Sequence, residues 1–98
     1  MILCKVIGKV VCTRKDEKLV GGKLQLVIPV DCDTLKETGK TQVAIDTVGA
    51  GEGDIVLVVG GSSARLTPLT KTSPVDSAII AIIDTIEANG KLTYSTGR

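Results

Sequence analysis

The residues able to do chemistry in this chain are few and poorly partnered. Ser62, Ser63 and Arg65 follow a glycine pair, Asp46 lies in an apolar run, and Cys4, Cys12 and Cys32 are scattered through the first third. A serine nucleophile needs a base beside it, and the sequence contains no histidine, so a nucleophile elbow is unsupported. Asp84 and Glu87 have the spacing of acids on one solvated helix face. Asp46 has no acid, base or metal partner in the sequence; hydrogen bonds from neighbouring loop amides would offset its desolvation. The cysteines lack a Cys-x-x-Cys pair, and their odd number reads as buried thiols acting as small apolar residues in a reducing cytosol. No catalytic residue, no metal site and no cofactor are therefore expected, and neither is an enzyme.

What the chain does have is glycine placed around one apolar run. Ile55 to Val59 contains no polar residue, which predicts a central strand covered on both faces. Gly49-Ala50-Gly51-Glu52-Gly53-Asp54 precedes it and Gly60-Gly61-Ser62-Ser63-Ala64-Arg65 follows it. Neither loop is a phosphate cradle. The first has Asp54 where a dinucleotide fingerprint needs its third glycine, and a strand rather than a helix follows. The second lacks the Gly-Lys-Ser/Thr of a P-loop. Small residues here let backbones approach closely, as at a symmetry axis or a subunit seam.

The supporting scaffold must be small and aliphatic. Ninety-eight residues make one domain, 1–98, with a single Tyr and no Phe or Trp, so Val, Ile, Leu and Ala build the core. Such a core gains from further burial between subunits. Residues 1–23 carry a net charge of +4 and residues 24–98 a net −3. The basic end reads as a solvated face, because single-strand binding sheets stack bases on aromatic rings. No apolar run approaches the ~20 residues that span a membrane.

Alternation predicts a first strand over Leu3 to Thr13, even positions inward, with a bend or bulge at Gly8. Lys23 to Val30 is the second strand, ending or lying at an edge at Pro29. Its Leu24, Leu26, Ile28 and Val30 share one face, and Gln25 and Val27 the other. Asp31 to Lys40 reads as a surface loop. Thr41 to Val48 and Asp54 to Val59 read as a hairpin joined by the glycine loop. Ser73-Pro74-Val75-Asp76 has the signals of a helix start, and Val75, Ala78, Ile79, Ile82, Ile83 and Ile86 form an amphipathic stripe closed by Asn89-Gly90. Leu92 to Tyr94 supplies a short closing strand. The expected fold is mainly β: a small, partly open five-stranded OB-like β-barrel with one C-terminal amphipathic α-helix.

Several stretches together resemble one family. They are Met1 to Thr13, Leu19-Val20-Gly21-Gly22-Lys23-Leu24, Val43-Ala44-Ile45-Asp46, Val48 to Gly53, Gly61-Ser62-Ser63-Ala64-Arg65, and Pro74-Val75-Asp76 with its Ile-rich run. In this order and spacing they resemble the EutN/CcmL family, the vertex proteins of bacterial microcompartment shells. The resemblance spans nearly the whole chain. It implies a barrel that assembles into a homopentamer at the five-fold corners of a polyhedral shell, in the bacterial cytoplasm. The implied partners are copies of the chain itself and hexameric shell proteins, with no nucleic acid and no membrane. It places Gly49, Ala50 and Gly51 near the five-fold axis and Gly60, Gly61, Ser62, Ser63, Ala64 and Arg65 at the subunit interface. Arg65, with its rigid fork of donors, is the expected polar lock across that seam, the alternative being an ion pair within its own subunit. The alternatives are an OB-fold single-stranded nucleic-acid-binding protein using the basic end, and a small module holding a metabolite anion on the Gly/Ser loops.

Overall fold

The computed structural model describes residues 1–13, 23–61 and 76–96. Among these residues seven strands follow in chain order: β1 (Ile2–Val10), β2 (Lys23–Pro29), β3 (Gln42–Asp46), β4 (Ile55–Gly60), β5 (Ser77–Ile82), β6 (Thr85–Ala88) and β7 (Lys91–Ser95). The first five close a barrel in the order β1-β2-β3-β5-β4, and β6 and β7 form a separate two-stranded sheet. Neighbours are antiparallel except β3 and β5, which run parallel through Ile45–Ala78 and Asp46–Ile79.

Alternation places the core where it was expected on β1. Cys4 and Val6 are fully buried, and the interior is filled by Val27, Ala44, Ala50, Val56, Val58 and Ile79, with Ile82 packed against them. The register slips between Val6 and Gly8, so Ile7 is an extra residue in the ladder. This bulge exchanges the faces beyond it. Lys9, an odd and nominally outer position, pairs with Gln25 on the inward side of β2. On β2 the inward face is Gln25 and Val27, while Leu24, Leu26 and Ile28 are half-buried outside. β2 ends at Pro29, which has no N–H to extend the ladder. Ile55, Val56, Val58 and Val59 are all buried, as a strand covered on both faces requires. Its outer residue Val59 joins Ile45 and Ala78 in a second cluster with Leu24 and Ile80.

Five expectations about the fold need correction. No α-helix occurs among the described residues. The expected helix start, Ser73 to Val75, lies outside them, and the rest of that stretch holds β5 and β6. Its isoleucines satisfy a helical template, but β-branched side chains pay for χ1 restriction in a helix and fit a pleated sheet better. β5 has partners on both edges, and both faces are covered, so its apolar run lacks clean period-two alternation. Asn89-Gly90, expected as a helix end, is a hairpin turn with both residues at positive φ, 54° and 75°. β3 and β4 do not form a hairpin: β5 lies between them, and β4 pairs with β1 and β5. The residues Leu92 to Tyr94 are extended within β7, yet they pair with β6 and do not close the barrel. The barrel is closed rather than partly open.

Of the cysteines, only Cys4 is buried. Cys12 lies past the end of β1 and Cys32 in the loop after β2, and both are exposed, contrary to expectation. Burial pushes the Cys4 thiol from an ordinary 9.0 up to about 11. The unfolded chain therefore loses this proton first as pH rises, so the stabilisation is complete below pH 9 and is lost between 9 and about 11. Urea unfolding at fixed protomer concentration should show stability falling across that window. A Cys4→Ala variant should show a smaller fall; equal slopes would contradict the assignment.

Candidate functional site

The chain between β3 and β4 crosses the mouth of the barrel instead of reversing beside β3. Its path is set by two buried polar side chains. Asp46, the last residue of β3, is 5% exposed, and Gln25 of β2 is 3% exposed. The Asp46 carboxylate accepts at Oδ1 from the backbone N–H of Val48 (2.9 Å) and of Gly49 (3.0 Å). These are the loop amides that its isolation in the sequence called for. Gln25 Nε2 donates to Asp46 Oδ2 at 3.3 Å and to the carbonyl of Ala50 at 2.7 Å. Among the described residues, every buried side-chain polar atom has a partner, so this polar group inside an apolar barrel is fully satisfied.

Ala50 inserts its methyl into the barrel core and is 1% exposed. Gly49, at φ +79°, makes the left-handed turn that brings it there. Beyond Ala50 the loop is stitched to β1. Gly53 N–H donates to the Val6 carbonyl (2.8 Å) and Val6 N–H to the Asp54 carbonyl (2.9 Å). A turn from Gly51 to Asp54 is closed by Asp54 N–H on the Gly51 carbonyl (3.0 Å), with Gly53 at φ +92°. Asp54 Oδ2 in turn accepts from Gly51 N–H at 2.8 Å. Thr47 anchors the near end, its Oγ1 donating to the Ile79 carbonyl at 2.7 Å.

An open cavity of about 420 Å³ lies at this mouth, lined by Gly8, Lys9, Lys23, Gln25, Ala50, Gly51 and Glu52. Lys9 and Lys23 face it together with Glu52, so its charge is mixed rather than tuned to one anion. Among the described residues no cluster of His, Cys, Asp or Glu has the geometry of a metal site. The arrangement holds backbone in place.

The second glycine loop begins at the other end of β4. Gly60 pairs with Ser77, and Gly61, at φ +61°, donates its N–H to the Asp76 carbonyl at 2.9 Å. A Cβ on Gly60 would stand 3.4 Å from that carbonyl oxygen. Ser62, Ser63, Ala64 and Arg65 lie outside the described residues. The length of β4, about 20 Å at strand rise, separates the first loop from Gly60 and Gly61. Gln25 was not singled out by the sequence. The signal available was its period-two kinship with Val27, opposite the richer Leu/Ile face.

The chain matches the family model described as ethanolamine utilisation protein EutN/carboxysome over residues 1–84. It is 51% identical over 87 residues to the bacterial microcompartment shell vertex protein GrpN of Rhodospirillum rubrum (strain F11), covering 89% of this chain and 97% of that one. It is 42% identical over 94 residues to the shell vertex protein EutN of Salmonella typhimurium, covering 96% of this chain and 94% of that one. Among solved structures, CcmL of Gloeobacter violaceus superposes with a TM-score of 0.92 at 35% identity over 100% of both chains. The pentameric shell protein GrpN of Rhodospirillum rubrum superposes with a TM-score of 0.79 at 49% identity, covering 90% of this chain and 98% of that one. A fold and a sequence shared over nearly the whole length lead to one conclusion. The chain belongs to the EutN/CcmL family and is a vertex protein of a bacterial microcompartment shell, a structural component and not an enzyme.

Proposed function

We propose that five copies of this chain assemble into a ring that fills the five-fold corner of a polyhedral shell in the bacterial cytoplasm, with hexameric shell proteins around it. The observation that carries this reading is the match over 90% of the chain to a relative described as pentameric. The geometric reason for such a part is simple. Hexagonal tiles alone make a flat layer, and a five-fold unit supplies the curvature that closes it. In this reading Gly49, Ala50 and Gly51 approach the axis. Ala50 contributes its backbone there, since its methyl fills the barrel, and Gly49 and Gly51 keep five copies from colliding. Gly60, Gly61, Ser62, Ser63, Ala64 and Arg65 form the seam, with Arg65 holding a carboxylate or carbonyl of the neighbouring copy.

The structure makes this reading testable, because the protomer itself has room at Gly51. A Cβ there would meet only Asp54 Oδ2, at 3.9 Å, and Gly51 is not at positive φ. Gly53 differs: at φ +92° any side chain is strained, at a cost of about 1–2 kcal/mol. Native mass spectrometry should find a species of about 51 kDa, five times the 10.2 kDa chain. Gly53→Ala should lower protomer stability. Gly51→Leu should leave the protomer's stability nearly unchanged and abolish or enlarge the ring, and Arg65→Ala should make the ring fall apart at higher protein concentration. A wild-type monomer at every concentration would sink the vertex ring. Unaltered rings in Gly51→Leu would refute the axis placement, and in Arg65→Ala the lock.

A further inference from the structure

We propose that Gln25 and Asp46 are positioning residues for assembly: a polar clamp inside the barrel that fixes the 48–50 backbone and so decides whether rings close. The proposal rests on the reading that this loop lies at the five-fold axis. Two neighbouring strands, β2 and β3, supply the clamp, and three consecutive loop residues receive it. Asp46 holds the N–H groups of Val48 and Gly49, and Gln25 holds the carbonyl of Ala50. With the Ala50 methyl in the core, the loop is fixed by its side chain and by both kinds of backbone group.

Stability alone does not call for this arrangement. A carboxylate and an amide are costly to bury, and well-packed apolar side chains of similar size serve a core at least as well. What the polar pair supplies is direction. Hydrogen bonds specify the orientation of the peptide units between Asp46 and Gly51, which dispersion contacts do not. In a symmetric ring one displaced loop is five displaced loops, so a small loss of definition in the protomer is repeated at every contact around the axis.

The test compares four variants of the full chain by barrel unfolding and by the protein concentration at which rings half-dissociate. Gln25→Leu keeps the bulk and removes both donated bonds; Asp46→Ala removes the acceptor of both amides. Each should raise the half-dissociation concentration by about ten-fold or more, the equivalent of one buried hydrogen bond. Asp46→Asn keeps an oxygen for the two amides but turns its NH2 toward Gln25 Nε2, losing the 3.3 Å bond between the two side chains, so its half-dissociation concentration should fall between those of wild type and Asp46→Ala. Val27→Ala is the control: it hollows the same interior without touching the loop's hydrogen bonds, and it should lower barrel stability while leaving ring strength close to wild type. Ring strength that simply follows barrel stability through all four variants would overturn the proposal, as would wild-type rings in Gln25→Leu. Should Asp46→Ala fail to fold, Gln25→Leu decides alone. Absence of a ring in the wild-type chain would remove the vertex reading and this proposal with it, whereas intact wild-type rings with unmoved variants would remove only the proposal.

Discussion

The insertion of β5 between β3 and β4 is the constraint on which the rest of the structure depends. Without it, β4, β1, β2 and β3 form an open antiparallel sheet with two exposed edges. With it, both edges are paired, one antiparallel along β4 and one parallel through a short contact with β3. Ile79 makes the closure pay. It is fully buried, packs in the barrel interior, and offers its carbonyl to Thr47 at the start of the mouth loop. The same strand covers the outer face with Ala78 against Ile45 and Val59. Closure also fixes where the chain must travel after β3. It cannot turn back, because β5 occupies that place, so it crosses the mouth and is caught by Gln25, Asp46 and Val6.

The sequence was legible wherever one residue type had one structural solution. The bulge at Gly8, the stop at Pro29 and the double-sided burial of Ile55 to Val59 each follow from a local rule, and each is present. It misled where one pattern had two solutions. Ala78, Ile79, Ile82, Ile83 and Ile86 fit a helical stripe, yet a strand buried on both faces also lacks alternation. Asn89-Gly90 ends helices and also turns hairpins, and only its two positive φ values separate them. The hairpin expected between β3 and β4 failed for a different reason. Strand order is a property of the whole barrel, and no pair of segments encodes it.

At the candidate site the sequence pointed to the loop between β3 and β4 but not to what holds it. Asp46 stood out as a carboxylate in an apolar run, and its loop-amide partners are those expected of it. Gln25 did not stand out, because glutamine in an alternating strand normally marks the wet face. Small barrels reverse that expectation at their ends, where inward positions reach the mouth and can serve a loop. Lys9 reaches the same mouth only because the bulge exchanges faces after Val6. Function came from the ordered set of motifs and not from any reactive group. A part whose task is to fit a corner needs shape and small residues, and its sequence is correspondingly poor in chemistry.

The central claim is that this chain closes shells. Co-expression with hexameric shell proteins, followed by electron microscopy of the particles with and without this chain, tests it most directly. The account predicts closed polyhedra with density at the five-fold corners when the chain is present, and open or unfilled corners when it is absent. Corners filled equally well without the chain, or density for it on flat facets, would contradict the account.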